Sequence, residues 1–186
     1  MNAVVLDGSR NEQGQGIVTV LTAALAQAGY ATEVIALREK TIAPCKGCFG
    51  CWMHTPGECV IDDEGRQVAR AVARCDLLVY FTPVTFGGVS SGLKKAVDRL
   101  IPNISPFFAR VRGETHHQKR YAHCPSLIGL GTLPQPDRQA ETLFKTLVEH
   151  NALNFRSPRT AAAVVAFDRP DDIEAIARGL VEAVTQ

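Results

Sequence analysis

The feature that most restricts the fold of this chain is an alternation of short, continuously apolar runs with longer segments of helical period. Residues 3–7, 31–37, 77–82, 126–131 and 161–167 are the apolar runs. The third, Leu77-Leu78-Val79-Tyr80-Phe81-Thr82, carries no polar alternation, as expected of a strand covered on both faces. Between the runs, Ile17, Leu21, Ala24, Leu25 and Ala28 recur on one helical face, with Gly29 as the stop. A second helix starts near Asp62-Asp63 and carries Val68, Ala69 and Val72. A third starts near Ser90-Ser91 with Leu93, Val97, Leu100 and Ile101 on one side. Residues 137–150 place Leu143, Phe144 and Leu147 inward. The last helix begins at Asp171, has Glu174 positioned for a capping box and buries Ile173, Ile176, Ala177, Leu180 and Val184. Five strands alternating with five helices predict an α/β protein with a doubly wound, five-stranded parallel sheet and helices on both faces. The stretch 102–120 reads as the one long loop.

At 186 residues the chain suits one domain, 1–186, with a substantial core. A formal net charge of +1 gives no electrostatic reason to expect a nucleic-acid or anionic-membrane partner. No apolar run approaches the roughly 18 residues of a membrane span. Residues 1–7 read as a first strand and not as a signal peptide, so a cytoplasmic location is expected.

Ligands of open parallel sheets bind beyond the carboxyl ends of the strands, where the winding reverses. With strand order 2-1-3-4-5 that point lies between strands one and three, and loops 8–16, 83–90 and 131–136 meet there. The first loop, Gly8-Ser9-Arg10-Asn11-Glu12-Gln13-Gly14-Gln15-Gly16, offers a helix N-terminus, a hydroxyl and a cation, a set suited to a phosphate monoester. It lacks the third glycine of a dinucleotide fingerprint and the Gly-Lys-Ser/Thr of a triphosphate loop. In the second loop, Gly87-Gly88 allows backbone to approach a flat ring that Thr85 and Phe86 border, while Ser90 or Ser91 caps the next helix.

Four of the six cysteines, Cys45, Cys48, Cys51 and Cys59, follow the spacing C-x2-C-x2-C-x7-C. Three thiolates at this pitch can wrap one iron–sulfur cubane, with Cys59 returning after Pro56-Gly57 as a fourth ligand. A packed loop of free thiols and a structural zinc are the other readings. Cys75 and Cys124 fall on helix and strand patterns and read as core. His116-His117 with Glu114 reads as surface, because adjacent histidines of an extended chain point apart and no i, i+4 partner exists. Arg110, Arg112, Lys119 and Arg120 make that stretch a solvated basic loop. Asp98-Arg99 is expected to pair within its helix or across a dimer, and Asp62-Asp63-Glu64 to begin a helix.

Three stretches resemble the NADPH-dependent FMN reductase and iron–sulfur flavoprotein group of the flavodoxin-like superfamily. They are Gly8-Ser9-Arg10, the cysteine segment Pro44–Trp52 running on to Thr55–Asp63, and Thr82–Gly88 with Leu93–Arg99. The first departs from the group's usual form, which has a proline between serine and arginine and a later Asn-Thr where this chain has Gln15-Gly16. The resemblance implies FMN, with its phosphate at Ser9, Arg10, Asn11, Gln15 and Gly16. The ring would lie against Pro83, Val84, Thr85, Phe86, Gly87 and Gly88 and against Gly131 and Thr132. It further implies NAD(P)H as co-substrate, a flavin, quinone or protein as electron acceptor, a homodimer or homotetramer, and Cys45, Cys48, Cys51 and Cys59 as candidate [4Fe–4S] ligands. The expected activity is that of an FMN-dependent oxidoreductase without a dedicated acid or base. A non-enzymatic electron carrier and a redox-sensing binding protein are the rival readings.

Overall fold

All five apolar runs become strands of one parallel sheet in a computed structural model of the chain, which describes residues 1–167 and 173–185. β1 (Asn2–Asp7) leads to α1 (Glu12–Gln27), and β2 (Ala31–Ala36) to a 3-10 turn (Leu37–Glu39). The cysteine segment contains only a one-turn helix, α2 (Gly50–Met53), ahead of α3 (Glu64–Arg74). β3 (Leu77–Thr85) doubles back through β4 (Gly88–Val89) into α4 (Ser91–Asp98). β5 (Ile104–Val111), β6 (Glu114–Lys119), β7 (Ser126–Leu133), α5 (Arg138–Phe155), β8 (Thr160–Ala166) and α6 (Ile173–Thr185) complete the described chain.

The parallel strands lie in the order β2-β1-β3-β7-β8, which is the expected 2-1-3-4-5 winding. Side chains alternate across the sheet, so each strand serves two cores. Val4, Leu6, Leu78, Tyr80 and Leu127 pack with Val68, Val72, Leu93 and Phe144 of α3, α4 and α5. Val5, Leu77, Val79, Phe81, Ile128 and Leu130 pack with Ile17, Leu21 and Leu25 of α1 and with Ala177, Leu180 and Val181 of α6. Burial on both faces is what removes polar alternation from these strands.

Four expectations need correction. The stretch 102–120 is not a loop: β5 and β6 form an antiparallel hairpin that pairs only with itself, closed by a tight turn at Arg112-Gly113 with φ of 50° and 85°. On α5 the buried stripe is Phe144, Val148 and Ala152, four residues apart, while Leu143 and Leu147 lie on the adjoining, exposed row. Cys124 is not on a strand but precedes β7 and is half-buried, whereas Cys75 is buried at the end of α3 as expected. β3 and β7 run further than the apolar runs suggested, so Pro83, Val84, Thr85 and Thr132 are strand residues. The helix start at Asp171 lies outside the described residues. Among those described, no helix is long and apolar enough to cross a membrane.

Candidate functional site

β1, β3 and β7 are parallel neighbours with their carboxyl ends at one edge of the sheet. β1 ends at Asp7, level with Phe81 and Leu130, while β3 runs on to Thr85 and β7 to Leu133, so the loop leaving β1 emerges beside the projecting ends of the other two strands. β1 is flanked by β2 on one side and β3 on the other, and the winding reverses at this point.

The first loop is held from beneath by Asp7, which is 2% exposed. Its Oδ1 accepts the Ser9 amide at 2.8 Å, and its Oδ2 accepts Arg38 Nη1 at 2.7 Å. Gly8 N–H donates to the Phe81 carbonyl at 2.8 Å, and Ser90 Oγ donates to the Gly8 carbonyl at 3.3 Å. The first loop is thereby tied to both ends of the second. Asn11 caps α1 by accepting the Gly14 amide at 3.0 Å, and Arg10 Nη2 donates to Ser91 Oγ at 3.3 Å. The Ser9 hydroxyl is buried at the amino end of α1 and has no hydrogen-bond partner among the described residues. A buried, unpaired hydroxyl costs about 1–3 kcal/mol, so its place beside the positive end of a helix dipole is chemically informative.

Ser90 caps α4 as the sequence suggested, through the Leu93 amide. Thr82 Oγ1, fully buried, accepts the Ser90 amide at 2.9 Å and donates to the Pro83 carbonyl at 2.9 Å. Between them the chain makes a two-residue hairpin turn, with Val84 opposite Val89 and Thr85 opposite Gly88. The turn residues Phe86 and Gly87 have φ of 51° and 74°. Glycine suits this conformation, but a phenylalanine there is held at a cost of about 1–2 kcal/mol, with its ring fully exposed. Gly87 also packs against α5, where an added Cβ would meet Leu143 Cβ at 2.8 Å.

The predicted residues thus divide into two sets. Arg10, Asn11, Gln15, Gly16, Thr85 and Phe86 are exposed at this edge, with Pro83 and Gly88 half-buried. Val84 points into the core, and Gly131 lies behind it: a Cβ on Gly131 would meet Val84 Cγ2 at 2.6 Å and Phe144 Cε1 at 3.1 Å. The missing side chain of Gly131 therefore makes room for Val84. Thr132 is 3% exposed. Asp7, Arg38 and Thr82, which brace the two loops, escaped sequence reasoning. The acidic end of an otherwise apolar first strand was the available signal for Asp7.

Cys45, Cys48, Cys51 and Cys59, together with Phe49, Ile61 and Ile101, line one cavity of about 80 Å³. Cys51 is buried, Cys59 half-buried, and Cys45 and Cys48 exposed. Burial pushes the Cys51 thiol pKa up, and its neighbours Cys59, Cys45 and Cys48 add to the effect. The loop is clamped at both ends by Arg99, which is 1% exposed. Arg99 donates to the Ala43 carbonyl at 2.8 Å, to the Ile61 carbonyl at 3.2 Å, and to Asp63 Oδ2 and Oδ1 at 2.8 Å each. Asp63 also accepts the amides of Ala43 and Gly65, both at 2.9 Å. Burial opposes ionisation of Asp63, but the Arg99 bonds and these two amides hold its pKa below the usual carboxylate value. Asp98 pairs inside its helix with Lys94, while Arg99 reaches back across the fold to the cap of α3. Arg66 Nε donates to the Cys59 carbonyl at 2.8 Å, and Trp52 Nε1 anchors α2 on the Ile101 and Ile104 carbonyls at 3.2 and 3.1 Å.

Strand order and loop convergence define the flavodoxin-like class of α/β proteins. The chain belongs to the NADPH-dependent FMN reductase family, whose pattern it matches over residues 1–165. It is 35% identical over 104 residues to an iron–sulfur flavoprotein of Methanocaldococcus jannaschii, covering 55% of this chain and 53% of that one. An iron–sulfur flavoprotein of Archaeoglobus fulgidus is 29% identical over 100 residues, covering 53% and 48%. The chain therefore spans about half the length of the curated relatives it matches. Among solved structures, an NAD(P)H:quinone oxidoreductase from Methanothermobacter marburgensis superposes with a TM-score of 0.67 at 16% identity, over 99% of this chain and 95% of that one. An azoreductase from Bacillus anthracis does so with a TM-score of 0.68 at 12% identity, over 99% and 97%.

Proposed function

We propose that residues 1–186 form one FMN-binding unit that works as an NAD(P)H-dependent oxidoreductase, passing electrons to a small acceptor of the quinone or flavin type. The observation that carries this reading is the buried, unpartnered Ser9 hydroxyl at the amino end of α1, under the meeting of the β1 and β3 loops. That arrangement fits a phosphate monoester: Ser9 donates a hydrogen bond, Arg10 supplies charge, and Asn11, Gln15 and Gly16 border it. Thr85 and Phe86 form the exposed wall for a flat ring beside half-buried Gly88, with Pro83, Val84 and Gly87 shaping the turn and Gly131 and Thr132 closing the sheet edge behind it. Bound FMN would supply hydride-acceptor chemistry. The chain's part is to bind, to orient and to exclude water, so no side chain is assigned as acid or base.

The cysteine loop favours a second centre. Four thiols around one cavity fit a [4Fe–4S] cluster, which would supply single-electron exchange. Exposed Phe86, Phe107, Phe108, Leu143 and Leu147 support self-association into a dimer or tetramer.

Anaerobic purification followed by absorption spectra, iron and sulfide analysis, and NADH or NADPH oxidation with quinone, flavin and ferric acceptors tests these readings. A colourless protein that binds no added FMN defeats the principal one. Flavin without iron or sulfide defeats only the cluster. Reduction by ferredoxin but by neither pyridine nucleotide would favour an electron carrier.

A further inference from the structure

We propose that Glu114, His116 and His150 form a binding site for a divalent transition metal of the zinc class, with three protein ligands and an open fourth position. Glu114 and His116 are two residues apart on β6, so their side chains share a face. That face lies against α5, which supplies His150. The third ligand thus comes from a distant element, which is why sequence spacing alone pointed to a surface stretch. His116 Nε2 lies 2.8 Å from Glu114 Oε2, and His150 Nδ1 lies 3.3 Å from the same oxygen. All three ligand atoms fall within 4.8 Å of one another, and no other group of three among the described residues does so.

A tetrahedral zinc ion with bonds of about 2.0–2.1 Å holds its ligand atoms about 3.3 Å apart. Two sides of this triangle are already at or below that separation, and small side-chain rotations bring in the third. Two imidazoles and one carboxylate suit zinc or cobalt, whereas calcium and magnesium favour all-oxygen shells. The His116 side chain is only 11% exposed, which limits its freedom before a metal arrives. His117 turns to the opposite face, where its Nδ1 lies 2.7 Å from the Ser105 carbonyl and its ring packs on Trp52 and Phe108. It is therefore an internal control. A metal here would bolt the β5–β6 hairpin to α5, the same helix on which Gly87 rests.

The test uses the full chain, stripped with chelator and then titrated with Co²⁺ or dialysed against Zn²⁺. In the Cys45→Ser/Cys48→Ser variant, whose cysteine loop no longer offers four thiolates, cobalt should give visible bands that lack sulfur-to-metal charge transfer, and Zn²⁺ should raise the melting temperature. His150→Ala and His116→Ala should each lose one equivalent of metal and the melting shift, with affinity falling by more than the roughly 10–100-fold that loss of an outer partner costs. His117→Ala and the double variant Cys45→Ser/Cys48→Ser should retain both signals. His150 is half-exposed, and circular dichroism would establish that its variant folds. Equal stoichiometry and affinity in wild type and His150→Ala would overturn the site. So would the loss of every cobalt band in the cysteine double variant.

Discussion

Replacing Arg99 with methionine should destabilise this protein more than any surface substitution, and the clamp geometry sets the magnitude. The substitution deletes four hydrogen bonds, two to the Ala43 and Ile61 carbonyls and two to Asp63. It leaves the Asp63 carboxylate, whose side chain is 13% exposed, with only the Ala43 and Gly65 amides as the donors shown here. Breaking a buried pair from one side costs about 3–5 kcal/mol. For a chain of this length that lowers the melting temperature by about 6–20 °C. Urea unfolding followed by circular dichroism measures the loss, and amide exchange read by mass spectrometry locates it. Exchange should accelerate chiefly over residues 43–63, because Arg99 fastens both ends of that loop. Replacing Arg99 and Asp63 together by apolar residues should recover part of the loss, since no uncompensated charge then remains buried.

The pH dependence has a definite sign. Asp63 has a depressed folded pKa, so its contribution is complete above the unfolded value of about 3.9 and drains away as pH falls through the lower folded value. The stability gap between wild type and Arg99→Met should therefore narrow on acidification. A loss below about 1 kcal/mol at neutral pH, or exchange accelerated uniformly over the chain, would refute the clamp.

Phe86→Gly should raise stability by about 0.5–1 kcal/mol, because relief of the left-handed phenylalanine outweighs the added chain entropy. It should also weaken FMN binding by roughly 2–10-fold through loss of an aromatic contact, as measured by fluorescence titration. Unchanged stability and affinity would leave the strained turn unexplained. Gly131→Ala should cost about 1–3 kcal/mol in urea unfolding, since its Cβ would press on Val84 and Phe144. Native alkylation at pH 8, read by mass spectrometry, should modify Cys45 and Cys48 first and spare Cys75, which is buried and has its pKa pushed up to about 12. Early labelling of Cys75 would contradict its burial.

The β5–β6 hairpin shows where local reading runs out. Its strands carry no clean alternation: Phe107 and Phe108 are both exposed, and His116 and His117 both partly buried. Without a period of two, only the Arg112-Gly113 turn marked it. α5 is similar, since adjacent Leu143 and Phe144 are equally apolar, yet only Phe144 falls on the row that β7 and β8 cover. By contrast, the glycine-rich turn after β1 and the four-cysteine spacing were legible because each lies within one short stretch of chain.

Continuous apolar runs, helical periods and cap residues determined by themselves that this chain folds into strands and helices of a doubly wound sheet, because those patterns act over a few neighbouring residues. Which side chains meet across the sheet was decided only by packing. The Arg99–Asp63 clamp, the Asp7–Arg38 brace under the first loop and the Glu114–His116–His150 triad all join elements far apart in sequence. Their partners become neighbours only when helices and hairpin bury their apolar faces against a common core, and no local periodicity records that event.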